Sequence, residues 1–128
     1  MNTFIDKKYT YAVIGVSNNV EKYGYKVLEN LLDAGFKVFP INPKGGELLH
    51  QKVYKNISEI SENVDVAVFV IPPKIGESVI VDVMKKGVKM VWLQPGSESD
   101  EIIEFCKDNN MECYHSACIM LEQLKYLA

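Results

Sequence analysis

Four short segments contain most of the residue types in this sequence that suit ligand binding. They are Gly15–Asn18 (GVSN), Asn42–Gly46 (NPKGG), Pro72–Pro73 and Gln94–Gly96 (QPG), and Lys22, Tyr23 and Gly24 follow the first of them. Glycine allows a ligand to approach the backbone closely, and free N–H groups and lysine ammonium groups bind anions. These segments lack the acids and histidines of a hydrolytic site. Their composition therefore favours a binding cleft.

The first segment, with Gly15, Val16, Ser17 and Asn18, is suited to a diphosphate. If a helix begins near Gly24, its first N–H groups and the positive end of its dipole would face the phosphates. The spacing is not the GxGxxG of dinucleotide-binding domains. A glycine needed only for tight strand–helix packing is the alternative interpretation.

The second segment has Asn42, Pro43 and Lys44 where dinucleotide-binding domains usually have an acid that binds ribose hydroxyls. A neutral amide beside an ammonium group suits a ribose that carries a phosphate, because a carboxylate there would repel it. The glycines that follow let the backbone approach a ligand closely. The alternative is a turn with an exposed lysine.

These segments are embedded in a regular alternation of apolar runs and helical patterns. Continuous apolar runs with helices between them are typical of a parallel sheet buried on both faces. We predict an α/β fold, a three-layer Rossmann-like domain with about five parallel strands in the order 3-2-1-4-5. The predicted strands are Tyr11–Val16, Lys37–Ile41, Val66–Ile71, Met90–Leu93 and Met111–Tyr114. The predicted helices are Tyr23–Ala34, Ile75–Gly87, a helix capped by Ser97 or Ser99 that ends at Asn109, and Ile119–Leu127.

The predicted topology places the four segments together. In such a sheet, ligands bind beyond the carboxyl ends of the strands, where the strand order reverses between the first and the fourth strand. Each segment directly follows a predicted strand. The region from Glu47 to Val64 is less regular, and Asn56 with Glu59 resembles a capping box for one helical turn.

The composition fits a single domain, residues 1–128, and argues against several classes of protein. The net charge is −3 and all 14 basic residues are lysine, which disfavours a nucleic-acid or membrane-surface binder and excludes arginine forks. No apolar run approaches the roughly 20 residues that span a bilayer, so we expect a cytoplasmic protein.

The cysteines and aromatic residues suggest other sites that we consider less favoured. Cys106, Cys113 and Cys118 contain no CxxC pair, so free thiols are expected. Cys113, His115 and Cys118 match no common zinc spacing, and no metal site is predicted. Trp92 lies inside a predicted strand, so it is expected in the core.

The ordered set of motifs resembles the small stand-alone CoA-binding proteins, which are similar to the N-terminal CoA-binding domain of the succinyl-CoA synthetase α subunit. The resemblance covers YAVIGVSNN, KVFPINPKGG, VDVAVFVIPP, VWLQPGSES and CIMLE. It implies that Gly15–Val20, Lys22 and Tyr23 contact the phosphates and that Lys44 neighbours the ADP part of coenzyme A. It further implies that Val70–Pro73 and Leu93–Gly96 flank the adenine and the pantetheine.

Two departures from this family limit what the resemblance implies. Val20 replaces a proline that is often found after the asparagine of the first loop, which leaves the detailed geometry of that loop open. The second domain of the synthetases, with its phosphohistidine, has no counterpart in this sequence. No catalytic residue or activity is therefore carried over.

The expected function is to bind coenzyme A or acyl-CoA as a non-catalytic carrier, sensor or regulatory module. One alternative is an NADP-type oxidoreductase, because Lys44 would also suit a 2′-phosphate. Another is an accessory protein-interaction domain with a vestigial cleft, whose protein partner the sequence does not identify. A further hypothesis is that Cys118, near the cleft mouth, forms a mixed disulfide with the CoA thiol; a buried structural cysteine is its alternative.

Overall fold

The computed structural model describes residues 3–127, with side chains up to Lys125. The helices are α1 (Tyr23–Asp33), α2 (Pro73–Lys86), α3 (Asp100–Asp108) and α4 (Ile119–Leu127), and a 3-10 turn covers Ile57–Glu59. The strands are β1 (Thr10–Ile14), β2 (Lys37–Ile41), β3 (Glu47–Leu48), β4 (Gln51–Lys52), β5 (Val66–Phe69), β6 (Met90–Leu93) and β7 (Glu112–Tyr114).

Five parallel strands form the main sheet, in the order β2-β1-β5-β6-β7. Beyond β2, Tyr54 forms an isolated parallel bridge with Ile41. If the segment at Tyr54 is counted as the third strand, the order is 3-2-1-4-5 as predicted, and β7 is added as a sixth strand at the far edge. In this count Val66–Ile71, which the prediction numbered third, is the fourth strand and lies beside β1. All four residues of β5 are buried, as expected of a strand that lies between β1 and β6 and is covered on both faces of the sheet.

The helices cover both faces of the sheet, as the three-layer prediction requires. On one face, Val27 and Leu31 of α1 and Ile119 of α4 pack against the sheet. On the other face, Ile80 of α2 and Ile102 of α3 do so. The two cores bury alternate residues of the central strands, so each central strand packs against helices on both faces of the sheet. No helix within residues 3–127 has the length and apolar character needed to cross a membrane.

The structure differs from the predicted elements mainly at their ends. β1 stops at Ile14, before the predicted Val16, because Gly15 takes a φ of 106° that an extended strand does not allow. Ser99, one of the two predicted caps, accepts a hydrogen bond from the Ile102 N–H and caps α3. The helical turn predicted after Asn56 is present as the 3-10 turn Ile57–Glu59, but the capping-box bonds are not formed: Asn56 makes no side-chain capping bond, and Glu59 accepts from the Lys55 N–H.

Candidate ligand-binding site

The loop after β1 is tied to the end of β2 by hydrogen bonds. The N–H groups of Gly15 and Val16 both donate to the carbonyl oxygen of Ile41, over 3.0 and 3.2 Å. Asn42 Nδ2 donates to the Val16 carbonyl oxygen over 2.7 Å, and Asn42 Oδ1 accepts from the Lys44 N–H over 2.8 Å. Asn42 therefore joins the two loops that the sequence assigns to the same ligand.

Two glycines allow α1 and β5 to approach this loop closely. A Cβ atom on Gly24 would lie 2.1 Å from the carbonyl oxygen of Gly15, and a Cβ on Gly15 would lie 2.3 Å from that of Val70. Both obstacles are backbone atoms, so any side chain would force the elements apart. The N-terminus of α1 consequently sits directly against the loop.

Several N–H groups at this point have no acceptor in the described part of the chain. They belong to Ser17, Asn18, Tyr23 and Gly24. The N-cap residue Lys22 makes no side-chain capping bond, so the first turn of α1 keeps its N–H groups available. Free N–H groups at a helix N-terminus, together with the helix dipole, form a binding position for an anion.

These groups border a cavity of about 690 Å³ at the carboxyl ends of β1, β2 and β5. Its position is the point where the strand order reverses, which is where ligands bind in open α/β sheets. Its volume is in the range of small-molecule sites, about 300–1,000 Å³. The cavity brings together these residues from the sequence prediction: Gly15, Val16, Ser17, Asn18, Lys22, Tyr23, Gly24, Asn42, Pro43, Lys44, Val70 and Pro72.

The structure places the other predicted residues outside this lining. Pro73 is the first residue of α2. Gln94 is buried, its Oε1 accepts from the Ile119 N–H over 2.7 Å, and its Nε2 donates to Cys118 Sγ over 3.4 Å. Pro95 and Gly96 are exposed in the turn that follows. Gln94 thus positions the start of α4, and a contact of these four residues with a ligand stays a prediction.

Sequence reasoning missed part of the lining. β3 and β4 form a two-stranded antiparallel hairpin, and Glu47, Leu48 and Val53 from this region line the cavity, as do Glu21 and Ile75. Gly45 and Ile71, which lie within the predicted segments Asn42–Gly46 and Val70–Pro73, also line it. Strands of two residues give no periodic signal, and the turn of the hairpin lacks the Asn-Gly or Asp-Gly pair that marks such turns. Ile75 lies two residues after the Pro-Pro segment, which was the available signal for it.

The cysteines, His115 and Trp92 lie outside the cavity lining. Trp92 is fully buried, as predicted, and donates from Nε1 to the Ala117 carbonyl oxygen. The cysteines are free thiols, as predicted. A hydrogen bond with Cys106, together with burial, raises the pKa of the Cys113 thiol. Within residues 3–127, no three His, Cys, Asp or Glu side chains group as metal ligands.

The parallel sheet, with a crevice at its reversal point that is lined by N–H groups without an acceptor among the described residues, defines a Rossmann-like α/β domain. The chain matches the family model described as a CoA binding domain over residues 9–123, and it belongs to this family. The family predicted from the sequence motifs is therefore confirmed.

The first curated relatives are larger proteins that contain a homologous domain. The chain is 42% identical to the alpha subunit of ADP-forming acetate–CoA ligase II from Pyrococcus furiosus, over 84% of this chain and 26% of that subunit. It is 43% identical to the alpha subunit of ligase I from the same organism, over 62% of this chain and 19% of that subunit. The chain thus spans between 12% and 26% of the first ligase relatives.

Stand-alone proteins of similar size share the fold. A conserved hypothetical protein from Pyrococcus furiosus has a TM-score of 0.85 and 41% identity, covering 89% of this chain and 98% of that protein. The fold of this chain therefore occurs both alone and as one domain of a ligase subunit.

Proposed function

We propose that this protein binds coenzyme A or an acyl-CoA in the cavity beyond β1, β2 and β5, without catalysing a reaction of its own. The proposal rests on one observation. Four N–H groups that have no acceptor among the described residues border a cavity that Lys22 and Lys44 also line. Coenzyme A brings about four negative charges, from a diphosphate and a nearly dianionic 3′-phosphate. The membership of a CoA-binding family supports the same ligand.

The two parts of the cavity suit the two kinds of phosphate. The N–H groups of Ser17, Asn18 and Gly24 suit the diphosphate, because they are short-range donors held by the backbone. Lys44 suits the 3′-phosphate, because its position after β2 is where a Rossmann-like domain contacts the ribose. Asn42 holds the backbone N–H of Lys44 and so fixes the start of that turn.

The proposal of a role as a carrier, sensor or regulatory module rests on the lining of the cavity. The described lining has two acids, Glu21 and Glu47, and it contains no histidine or cysteine that could complete a nucleophile–base pair with them. The ligase subunits that resemble this chain are several times longer, and this chain matches only one part of them.

Ligand-dependent thermal stability, measured at constant ionic strength, tests the proposal. Coenzyme A, dephospho-CoA, ADP and NADP are compared, because a ligand stabilises the folded state by RT ln(1 + [L]/Kd). We expect coenzyme A to raise Tm most and dephospho-CoA less. Lys44→Ala should raise the Kd of coenzyme A about threefold, since an exposed charge contact contributes at most about 1 kcal/mol. The same variant should change the Kd of dephospho-CoA less.

Lys89→Ala is the matched control. Lys89 is an exposed lysine that precedes β6, at the opposite end of the sheet, so its removal changes the net charge equally without touching the cavity. Equal or greater stabilisation by NADP would replace the proposal with the oxidoreductase alternative. Absence of stabilisation by any of these ligands would favour an accessory domain with a vestigial cleft.

A further inference from the structure

The apolar wall of the cavity is a short segment with few backbone donors. It consists of Val70, Ile71 and Pro72, which connect β5 to α2. The pair Pro72 and Pro73 has no N–H group that could hold the segment to its neighbours. The Val70 N–H donates to the carbonyl oxygen of Ile14 at the end of β1, over 2.9 Å. The Ile71 N–H is therefore the one remaining donor by which the apolar wall can be fixed.

A serine from a different loop accepts this hydrogen bond. The Ile71 N–H donates to Ser97 Oγ over 3.1 Å, and Ser97 lies in the loop between β6 and α3. Ser97 is only 4% exposed, and its own N–H donates to the Gln94 carbonyl oxygen over 2.8 Å, which fixes the serine within its loop. Both Ser97 and Ser99 are suited by position to cap α3, but Ser99 does so. The hydroxyl of Ser97 holds the apolar wall instead.

Ile71 connects this wall to the loop after β1. A Cβ atom on Gly15 would lie 2.5 Å from Ile71 Cγ2, so the Ile71 side chain lies directly against that glycine. Gly15 begins the loop whose Ser17 and Asn18 N–H groups suit the diphosphate. Because such close packing leaves no slack, a shift of Ile71 would change the apolar wall and its contact with this loop together.

We propose that Ser97 is a positioning residue of the CoA site: its hydroxyl holds the Ile71 backbone, so that the apolar wall stands against the loop after β1 before the ligand binds. This inference rests on the proposed function and adds a residue outside the cavity lining. A wall that is fixed in advance costs less ordering on binding, because a larger fraction of the protein is competent to bind. The loop after β6 thereby contributes to the site through a hydrogen bond to its wall.

Calorimetry with coenzyme A on the full chain, together with amide hydrogen exchange at Ile71 measured by NMR, tests this role. The loss of one hydrogen bond of typical net strength shifts the position of the wall about fivefold, so Ser97→Ala should raise the Kd of coenzyme A about threefold to fivefold. The Ile71 N–H should exchange faster in the free variant, because it has lost its acceptor, and coenzyme A should restore its protection. Ser97→Cys keeps the side-chain volume but offers a weak acceptor, so it should show the same changes.

Ser99→Ala is the matched control. Ser99 lies in the same loop and is 8% exposed, but its hydroxyl accepts from the Ile102 N–H and donates to Glu77 Oε2. Neither of these partners lines the cavity. This variant loses a helix cap and should be less stable in urea, whereas the Kd of coenzyme A and the exchange rate of the Ile71 N–H should stay unchanged.

The possible failures of this inference differ from a failure of the proposed function. If Ser97→Ala and Ser99→Ala raised the Kd equally, Ser97 would act only through the stability of its loop. Unchanged exchange at Ile71 in Ser97→Ala would show that the hydroxyl does not hold that N–H, and faster exchange with an unchanged Kd would show that binding does not depend on the wall. In each of these cases coenzyme A still binds. If the unchanged protein did not bind coenzyme A, the proposed function would fail and the inference with it.

Discussion

Two buried glutamines show how differently the same residue type is used in this chain. Gln94 is 2% exposed and its Oε1 accepts a hydrogen bond from the Ile119 N–H. Gln123 is 3% exposed and its Oε1 has no partner among the described residues. Gln94 therefore satisfies a backbone donor at the start of α4, which would otherwise be buried without an acceptor.

We expect Gln94→Ala to lower the free energy of unfolding by about 1–3 kcal/mol more than Gln123→Ala, because only the first leaves a buried N–H without an acceptor. Both variants remove the same atoms from equally buried positions. Urea denaturation measures the difference, and calorimetry with coenzyme A measures binding. If Gln94 instead binds the ligand, as its position after β6 first indicated, Gln94→Ala would raise the Kd with a small change in stability.

Asn42, in the cavity lining, is another residue whose side-chain amide is used by backbone groups of the protein. Its amide was assigned to a ribose, because it follows β2 where acidic residues bind ribose hydroxyls. In the structure its Nδ2 and Oδ1 are both used, by the Val16 carbonyl oxygen and the Lys44 N–H. The sequence predicted that Asn42 belongs to the site, but residue type alone does not tell whether an amide contacts the ligand or fixes the loops around it.

At the scale of elements, the β3–β4 hairpin is the part of the site that the sequence did not predict. Its turn residues Leu49 and His50 have φ values of 50° and 63°, the left-handed region that a two-residue type I′ turn requires. Side chains with a Cβ are disfavoured there by about 1 kcal/mol each. The hairpin nevertheless forms, because Leu48 and Leu49 pack against the core beneath it.

The double variant Leu49→Asn/His50→Gly should relieve this backbone strain. We expect the free energy of unfolding to rise by about 1 kcal/mol, since the loss of Leu49 packing offsets part of the gain from the preferred turn residues. His50→Gly alone, at an exposed position, separates the two effects. Thermal or urea unfolding measures the change, and lower stability of His50→Gly would contradict the turn assignment.

The main sheet was predictable because its central strands are continuous apolar runs between breakers. Lys37–Ile41 and Met90–Leu93 have the predicted bounds, and so does the helix Ile119–Leu127. Less was predictable where the structure depends on tertiary contacts. The bridge between Tyr54 and Ile41 and the short hairpin leave no period in the sequence, so the wall of the cavity that Glu47 and Leu48 form was missed.

At the scale of the whole molecule, a net charge of −3 opposes a ligand with about four negative charges. Binding then requires that local positive potential exceeds the repulsion from the rest of the protein. Under the proposed function, Lys22 and Lys44 would supply it together with the N-terminus of α1, while Glu21 and Glu47 in the same lining would reduce it. Lys26 lies close by, with its Nζ 5.6 Å from the centroid of the Tyr23 ring.

Salt should therefore weaken the binding of coenzyme A, because the attraction is carried by exposed lysines that mobile ions screen. Raising sodium chloride from about 0.05 to about 0.5 M shortens the Debye length from roughly 14 Å to roughly 4 Å. We expect the Kd of coenzyme A to rise several-fold and that of dephospho-CoA to rise less, since dephospho-CoA lacks the 3′-phosphate assigned to Lys44. The slopes of log Kd against log salt concentration, measured by calorimetry, quantify the effect.

Lys44→Ala should bring the salt dependence of coenzyme A down to that of dephospho-CoA, whereas Lys89→Ala should keep the two ligands apart. This comparison separates a local contact from the general field of the protein, because both variants change the net charge by the same amount. If the two ligands had equal slopes in the unchanged protein, the 3′-phosphate would lie in solvent. The apolar wall and the N–H groups of the loop after β1 would then carry the recognition, and Lys44 would be an exposed residue of the turn.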